Sequence, residues 1–250
     1  MTATILSSSG EQRGQRSAFT LIEVLVVITI IAILAALLMA SMGSMANTRN
    51  RTTGMNNMRQ VGIAFLGYGN EHNQVIPGRV VDGDASSPKW PAVLAGYASG
   101  TYNHNTDYLK DVRTYIAPGY TDVDLNQPNL TQYLVSNSEN HTSWVMNGYN
   151  DVGAKTVPVE IRLTAFTAAT NTILLGIHKR ALLHFYMDMD DGDHKNALEL
   201  AAYETGSNYL FADGSVRFIT QTEYGKPSPT GTGIYGDWLW LADKSNPLPP

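Results

Sequence analysis

The sequence predicts an α+β chain: one long N-terminal α-helix packed on an antiparallel β-sheet, with loops elaborating the rest. Three observations lead there. Residues 19 to 39 are almost unbroken apolar sequence containing a single carboxylate, Glu23. Beyond them, Met55, Met58, Val61, Ala64, Phe65 and Tyr68 recur at three- and four-residue spacing, the period of an amphipathic helix. After Pro77 the chain becomes aromatic and rich in Gly and Asn, and Asp213-Gly214 sits between two alternating apolar runs, a strong hairpin signal.

Taken in order, the apolar run of about 21 residues rises about 1.5 Å per residue and spans roughly 31 Å, enough for a bilayer core. The stripe from Met55 to Tyr68 continues the helix, with Asn57, Arg59 and Gln60 on its other face. Gly54, Gly62, Gly67 and Gly69 each weaken that second half by up to about 1 kcal/mol relative to Ala. A bend or local melting is therefore expected near Asn47 to Gly54. Pro77-Gly78 should end the helix, because proline cannot continue it. Trp90 to Tyr97 and Tyr108 to Ile116 read as short helices. Ser143 to Tyr149, Asn171 to Ile177, His184 to Met187, Tyr209 to Ala212 and Ser215 to Ile219 read as strands. Gly225 to Gly236 reads as a loop leading to Trp238-Leu239-Trp240-Leu241, a final strand or core plug.

Glu23 is the residue that asks for a function. A charge costs about 2.5 to 3.5 kcal/mol at the centre of a membrane helix and less towards the interface, so one that is kept needs a partner. An α-amino group would serve. If the chain is cut between Ala18 and Phe19, Glu23 lies one helical turn from the new ammonium and, in a helical stack, within reach of a neighbouring copy's.

Phe19-Thr20-Leu21-Ile22-Glu23, after an Arg-containing leader and a small residue and before about twenty apolar residues, resembles the N-terminus of type IV prepilins and of the pseudopilins of type II secretion. The family usually has Gly before the cut; this chain has Ala18. The resemblance implies a leader, residues 1 to 18, removed by prepilin peptidase, and N-methylation of Phe19. It implies a transmembrane and filament-core helix over 19 to 46, an amphipathic continuation over 47 to 76 and an exported globular domain over 77 to 250. Two other readings of the apolar run compete. An ordinary signal anchor has no use for Glu23. A secretory signal peptide cut after Ser44-Met45-Ala46 would have an apolar region of 7 to 15 residues without an acid.

The hairpin carries a second resemblance. Asn208 to Phe218 is similar to the C-terminal signature of pilin-like envelope proteins that carry a domain of unknown function with a His-x9-Asp-Gly motif, and Met146 to Tyr149 and Asn171 to Gly176 are similar to that group as well. Ten residues before Asp213 this chain has Tyr203 in place of the histidine.

Composition bounds the rest. The net charge of -5, or -6 once residues 1 to 18 with Arg13, Arg16 and Glu11 are gone, leaves no electrostatic footprint for nucleic acid. Arg13 and Arg16 precede the apolar run, so the positive-inside rule keeps the leader in the cytoplasm and places residues beyond about 45 outside the inner membrane, in the periplasm. There are no cysteines, so the domain must be held by its core or by a bound ion. Asp188, Asp190, Asp191 and Asp193 around Gly192 invite a calcium reading. The EF-hand template fails, since it would put Met187 and Met189 at its first and third positions. Calcium remains open through carboxylates and backbone carbonyls, against a solvated acidic loop; some pseudopilins of the family resembled do use calcium. His178, His184 and His194 lack the spacing of a structural zinc site, and no catalytic motif is visible, so an enzyme is not expected.

The function expected is structural: a subunit of a type IV pilus or type II secretion pseudopilus, whose partners are prepilin peptidase, membrane lipid, an inner-membrane assembly platform, and itself with other pilin-like subunits. It could stand in a filament at the cell surface. The competing expectation is a membrane-tethered binding module whose Tyr97, Tyr102, Tyr108, Tyr115 and Tyr120 capture an extracellular polymer such as polysaccharide.

Overall fold

The computed structural model describes residues 20–79, 88–98, 101–109, 111–120, 123, 125–135, 141–147, 159–166, 168–180, 185–187 and 197–225. The chain divides into two compact units, Met1–Met45 and Ala46–Pro250. Its first element, α1, is a helix of 51 residues, Leu21–Glu71. Up to Met39 its large apolar side chains are exposed, from Val26 at 48% to Leu21 at 85%.

In the second unit α1 behaves differently. Met58, Val61, Ala64 and Phe65 are buried, with Met55 and Tyr68 packed partly against the same core. The predicted stripe is thus the buried face. The expected melting at Asn47 to Gly54 does not occur, because these residues are helical and held by the domain. Asn47 Nδ2 donates to Glu204 Oε1. The Arg51 carbonyl accepts from Asn208 Nδ2 at 3.0 Å, and its guanidinium lies 4.6 Å over the Phe218 ring. Nearly two turns further, the Asn57 amide donates to the Ile116 carbonyl at 2.9 Å.

The helix ends at Glu71, six residues before Pro77. Asn73 and Gln74 adopt left-handed backbone with φ of 53° and 64°, and the Gln74 N–H reaches back to the Gly69 carbonyl at 2.7 Å. This 6→1 bond is the Schellman way of closing a helix, with a small polar residue at the left-handed position. Pro77-Gly78 instead lie in strand β1, Val75–Arg79. The two-stranded ladder that β1 forms carries an irregularity between Ile76 and Arg79, which suits a residue unable to donate to a ladder.

Trp90–Leu94 forms α2, shorter than predicted, because the chain then turns into strand β2, Ala95–Ala98, paired with β3, Thr101–Asp107. Val112–Tyr115 is a 3-10 turn rather than a helix from Tyr108. Helix α3, Leu130–Leu134, packs beside it. β4 is Trp144–Met146 and β5, the partner of β1, is Val159–Arg162. β6, Ile173–Ile177, β7, Gly206–Phe211, and β8, Val216–Thr220, follow, and the short helix α4, Gln221–Tyr224, is capped by the Thr220 hydroxyl. The predicted strand His184 to Met187 is represented among the described residues by a single parallel bridge, Met146 with Tyr186. Residues 225–236 beyond Gly225, and Trp238 to Leu241, lie outside the described residues.

β4, β6, β7 and β8 make one antiparallel sheet in the order β4-β6-β7-β8. Its middle strands are buried on both faces. In β4, Trp144 and Met146 join the cluster containing α1, whereas Val145 joins a second cluster with Tyr209, Phe211 and Tyr224. That alternation is the period of two of a strand, and it makes the sheet the middle layer of the domain. The β7–β8 hairpin turns at Asp213-Gly214 as predicted. Gly214 has φ of 81°, and the Asp213 carboxylate accepts the Ser215 N–H at 2.9 Å.

Candidate functional site

The N-terminal end of α1 is the first candidate. Thr20 stands just before the helix, and its N–H and hydroxyl both donate to Glu23 Oε2, at 2.8 and 2.9 Å. The Glu23 N–H returns a bond to the Thr20 hydroxyl at 3.3 Å. This is the reciprocal capping box, in which a carboxylate three residues inside the helix satisfies the backbone donor of the cap residue. Its signal is present in the sequence, as Thr20-x-x-Glu23. Glu23 therefore has a role within its own chain, and the box uses atoms that all remain after a cut before Phe19. Ala18 and Phe19 themselves lie outside the described residues.

The apolar window of α1 has a mean hydropathy of 3.1 with none of it buried. It is long and apolar enough to cross a membrane, and it lies beside the capping box.

The second candidate is the seam between α1 and the sheet. A Cβ added at Gly54 would stand 2.3 Å from the Tyr203 hydroxyl, one at Gly62 would stand 2.7 Å from Leu210 Cδ1, and one at Gly69 would stand 2.8 Å from Leu163 Cδ1. Three of the four glycines read as weak points are places of close approach, while at Gly67 an added Cβ would meet Tyr108 at an ordinary 3.5 Å. Tyr203 thus covers the helix backbone at Gly54. Its hydroxyl and Asn208 Oδ1 are buried without a hydrogen-bond partner among the described residues.

The tyrosines considered as a binding face are spread through the domain. Tyr115 is buried, donates to the Pro91 carbonyl at 2.8 Å and packs edge-on against Trp90. Tyr108 donates to Glu71 at 2.5 Å and lies edge-on to Tyr68. Tyr120 donates to Glu199 at 3.0 Å, and burial followed by the Glu199 charge pushes its hydroxyl up to about 12. The side chains of Tyr97 and Tyr102 lie outside the described residues. Packing consumes the Tyr115 ring, whereas Tyr108 and Tyr120 are half-buried with their hydroxyls engaged by Glu71 and Glu199.

Asp188, Asp190, Asp191 and Asp193 lie outside the described residues, as do His184 and His194. His178 is buried with its two ring nitrogens against the Thr142 and Lys179 carbonyls, at 2.5 and 2.8 Å, so both are already engaged. Among the described residues no group of three or more His, Asp or Glu is arranged to hold a metal.

A third feature was not singled out in the sequence. Asp111 and Arg113, on the 3-10 turn, face the stretch Gln127 to Gln132 across an open cleft of about 470 Å³. A second hollow of about 330 Å³ shares Gln127, Pro128, Asn129 and Gln132 with it and is also lined by Tyr133 and His141. Nothing in the sequence marks it, because its lining residues are ordinary loop polar residues.

Neither a curated protein nor a solved structure matches this chain. Residues 13–39 match the family "Prokaryotic N-terminal methylation motif", so the chain carries the prepilin-type cleavage and methylation signal at the head of its apolar helix.

Proposed function

We propose that the protein is a pilin-like structural subunit of a type IV pilus or a type II secretion pseudopilus. The observation that carries this reading is the methylation motif at residues 13–39 running into a helix whose apolar side chains are exposed. Lipid can cover such a face before assembly, and the same face of other subunits can cover it afterwards. The precursor sits in the inner membrane with its C-terminal domain in the periplasm. Prepilin peptidase removes residues 1 to 18, Phe19 is methylated, and an assembly platform draws the helix into the filament. The role is structural rather than enzymatic.

Glu23 then has two tasks: it caps its own helix through Thr20 and pairs with the Phe19 ammonium of a neighbour. Glutamine separates them, since it can complete a capping box but cannot form an ion pair. Glu23→Gln and Glu23→Ala should both insert in the membrane and both fail to enter filaments, read by shearing filaments from cells and blotting. Assembly of Glu23→Gln at wild-type yield would reduce Glu23 to a cap, whereas absence of the wild-type chain itself from sheared filaments would favour the membrane-tethered module that binds an extracellular polymer. N-terminal sequencing of the mature protein should begin at Phe19; a start at Asn47 would overturn the reading.

A further inference from the structure

We propose that His178 is a proton-operated clasp: as the imidazolium it ties the entry of β4 to the exit of β6, and on losing its proton it releases one of its two contacts. It does not depend on filament assembly, since all of its parts lie within one domain.

The ring follows β6 directly and is 6% exposed. Its Nε2 lies 2.5 Å from the Thr142 carbonyl, and its Nδ1 lies 2.8 Å from the Lys179 carbonyl. A carbonyl oxygen only accepts, so each contact is a hydrogen bond only when that nitrogen carries a proton. The neutral imidazole carries one N–H and the imidazolium two. In the neutral ring the bare nitrogen faces a carbonyl with lone pair against lone pair, and that carbonyl must back away. Burial disfavours the charged ring, but two carbonyl dipoles at these distances give it the charge-assisted bonds that offset the cost.

Three segments meet at this ring. The His178 N–H donates to the Ser143 carbonyl at 3.2 Å, and the Ser143 N–H donates to the Tyr115 carbonyl at 2.8 Å. The Ser143 hydroxyl accepts the Ala117 N–H at 2.8 Å. On the other side His178 bridges to Leu198, and the Lys179 N–H donates to the Ala197 carbonyl at 2.7 Å. Opening the Thr142 contact therefore loosens the entry of β4 and, through Ser143, the end of the 3-10 turn. The bonds between β6 and β7 are left in place.

The ionisable neighbours are His141 beside Thr142, Tyr115 behind Ser143, Lys179 and Arg180 after the ring, and Glu199 beside Leu198. His141 stacks on Tyr133, and the Tyr115 hydroxyl is spent on the Pro91 carbonyl. Arg180 Nε donates to the Tyr120 carbonyl at 2.6 Å, and the Glu199 carboxylate takes the Tyr120 hydroxyl and the Ala201 N–H. Lys179 and Arg180 oppose a further cation and Glu199 favours one, but the direct partners of the ring are the two carbonyls. The folded chain thus holds a proton that the unfolded chain gives up more readily. The clasp's contribution to stability is present in acid and is lost as pH rises.

The test uses the full chain in detergent with its histidines labelled with nitrogen-15, titrated across the range of about pH 5 to 9 that brackets ordinary histidine titration. The His178 signals are those missing from His178→Gln. Both of its ring nitrogens should stay protonated at a pH where the exposed His72 already has a bare nitrogen. Glutamine can donate to one of the two carbonyls and cannot gain a proton, so it mimics the open clasp. In denaturant titrations the ratio of the wild-type folding constant to that of His178→Gln should fall about tenfold from pH 6 to pH 9, the size of one charge-assisted hydrogen bond. If His178→Gln does not fold, assignment through the Thr142 contact lets the wild-type titration decide alone. A His178 ring that loses its proton together with His72 or before it overturns the proposal, and so does a folding ratio that is the same at both pH values.

Discussion

The two halves of α1 are the same helix under opposite demands. From Leu21 to Met39 its apolar side chains are exposed, whereas from Gly54 to Gly69 it presents glycines and small side chains into which Tyr203, Leu210 and Leu163 pack. The difference teaches that an apolar stripe and an apolar cylinder are solutions to different problems. A cylinder needs lipid or other copies all round it; a stripe needs one sheet, brought close by residues without a Cβ.

Deleting a large side chain from each half gives the widest contrast. Phe65→Ala, which empties a buried site packed on Trp90 at 5.5 Å, should destabilise the domain by about 3 to 5 kcal/mol. The melting temperature should drop by roughly 10 °C. Ile31→Ala, at a position 59% exposed, should leave that transition where it was and lower membrane insertion instead. Equal thermal effects of the two would erase the distinction between the halves.

A smaller effect of definite sign is expected at Gly62. Alanine there gains up to about 1 kcal/mol of helix propensity. It also drives a methyl to 2.7 Å from Leu210, an overpacking worth about 1 to 3 kcal/mol. Net destabilisation of about 1 kcal/mol in a denaturant titration is expected; a stabilised Gly62→Ala would show that the seam is loose.

Alkali should separate the halves again. Between residues 20 and 45 the one ionisable side chain is Glu23, while the domain holds Tyr120 with its hydroxyl raised to about 12 by burial and by Glu199. A phenol neutral in the folded state but ionised near 10 when unfolded contributes stability that is full below pH 10 and is lost as pH rises to 12. The domain's melting temperature should therefore fall over that window. Tyr120→Phe should begin lower, for want of the bond to Glu199, and fall less steeply.

The smallest change is expected at Gly43, where an added Cβ meets nothing within 4 Å. Gly43→Ala should strengthen the helix by up to about 1 kcal/mol, read as slower amide exchange around residue 43, without altering the domain's unfolding. Alanine at the same residue type would thus have opposite signs in the two halves.

Much of this was legible in the residues, because it is local. The helix from the apolar run, the buried face of Met58, Val61, Ala64 and Phe65, the Asp213-Gly214 hairpin and the methylation signal all follow from periods of two and 3.6 and from short motifs. The errors arose where a residue's meaning depends on something distant in sequence. Gly54 is a weak helix residue until Tyr203 lies on it, and Pro77 looks like the helix stop until Asn73 and Gln74 are seen to close the turn earlier.

The sequence by itself determined that this protein has an apolar, prepilin-type head with a carboxylate one turn from the expected cut, followed by an α+β domain without disulfides. Only the tertiary structure decided that the glycines form a seam, that Tyr115 belongs to the core rather than to a binding face, and that Asp111 and Arg113 stand across a cleft from Gln127 to Gln132. Hydrophobic period and backbone chemistry act over a few residues, and a sequence displays them directly. Close approach, burial and cleft shape are made by segments whose separation along the chain carries no trace of their separation in space.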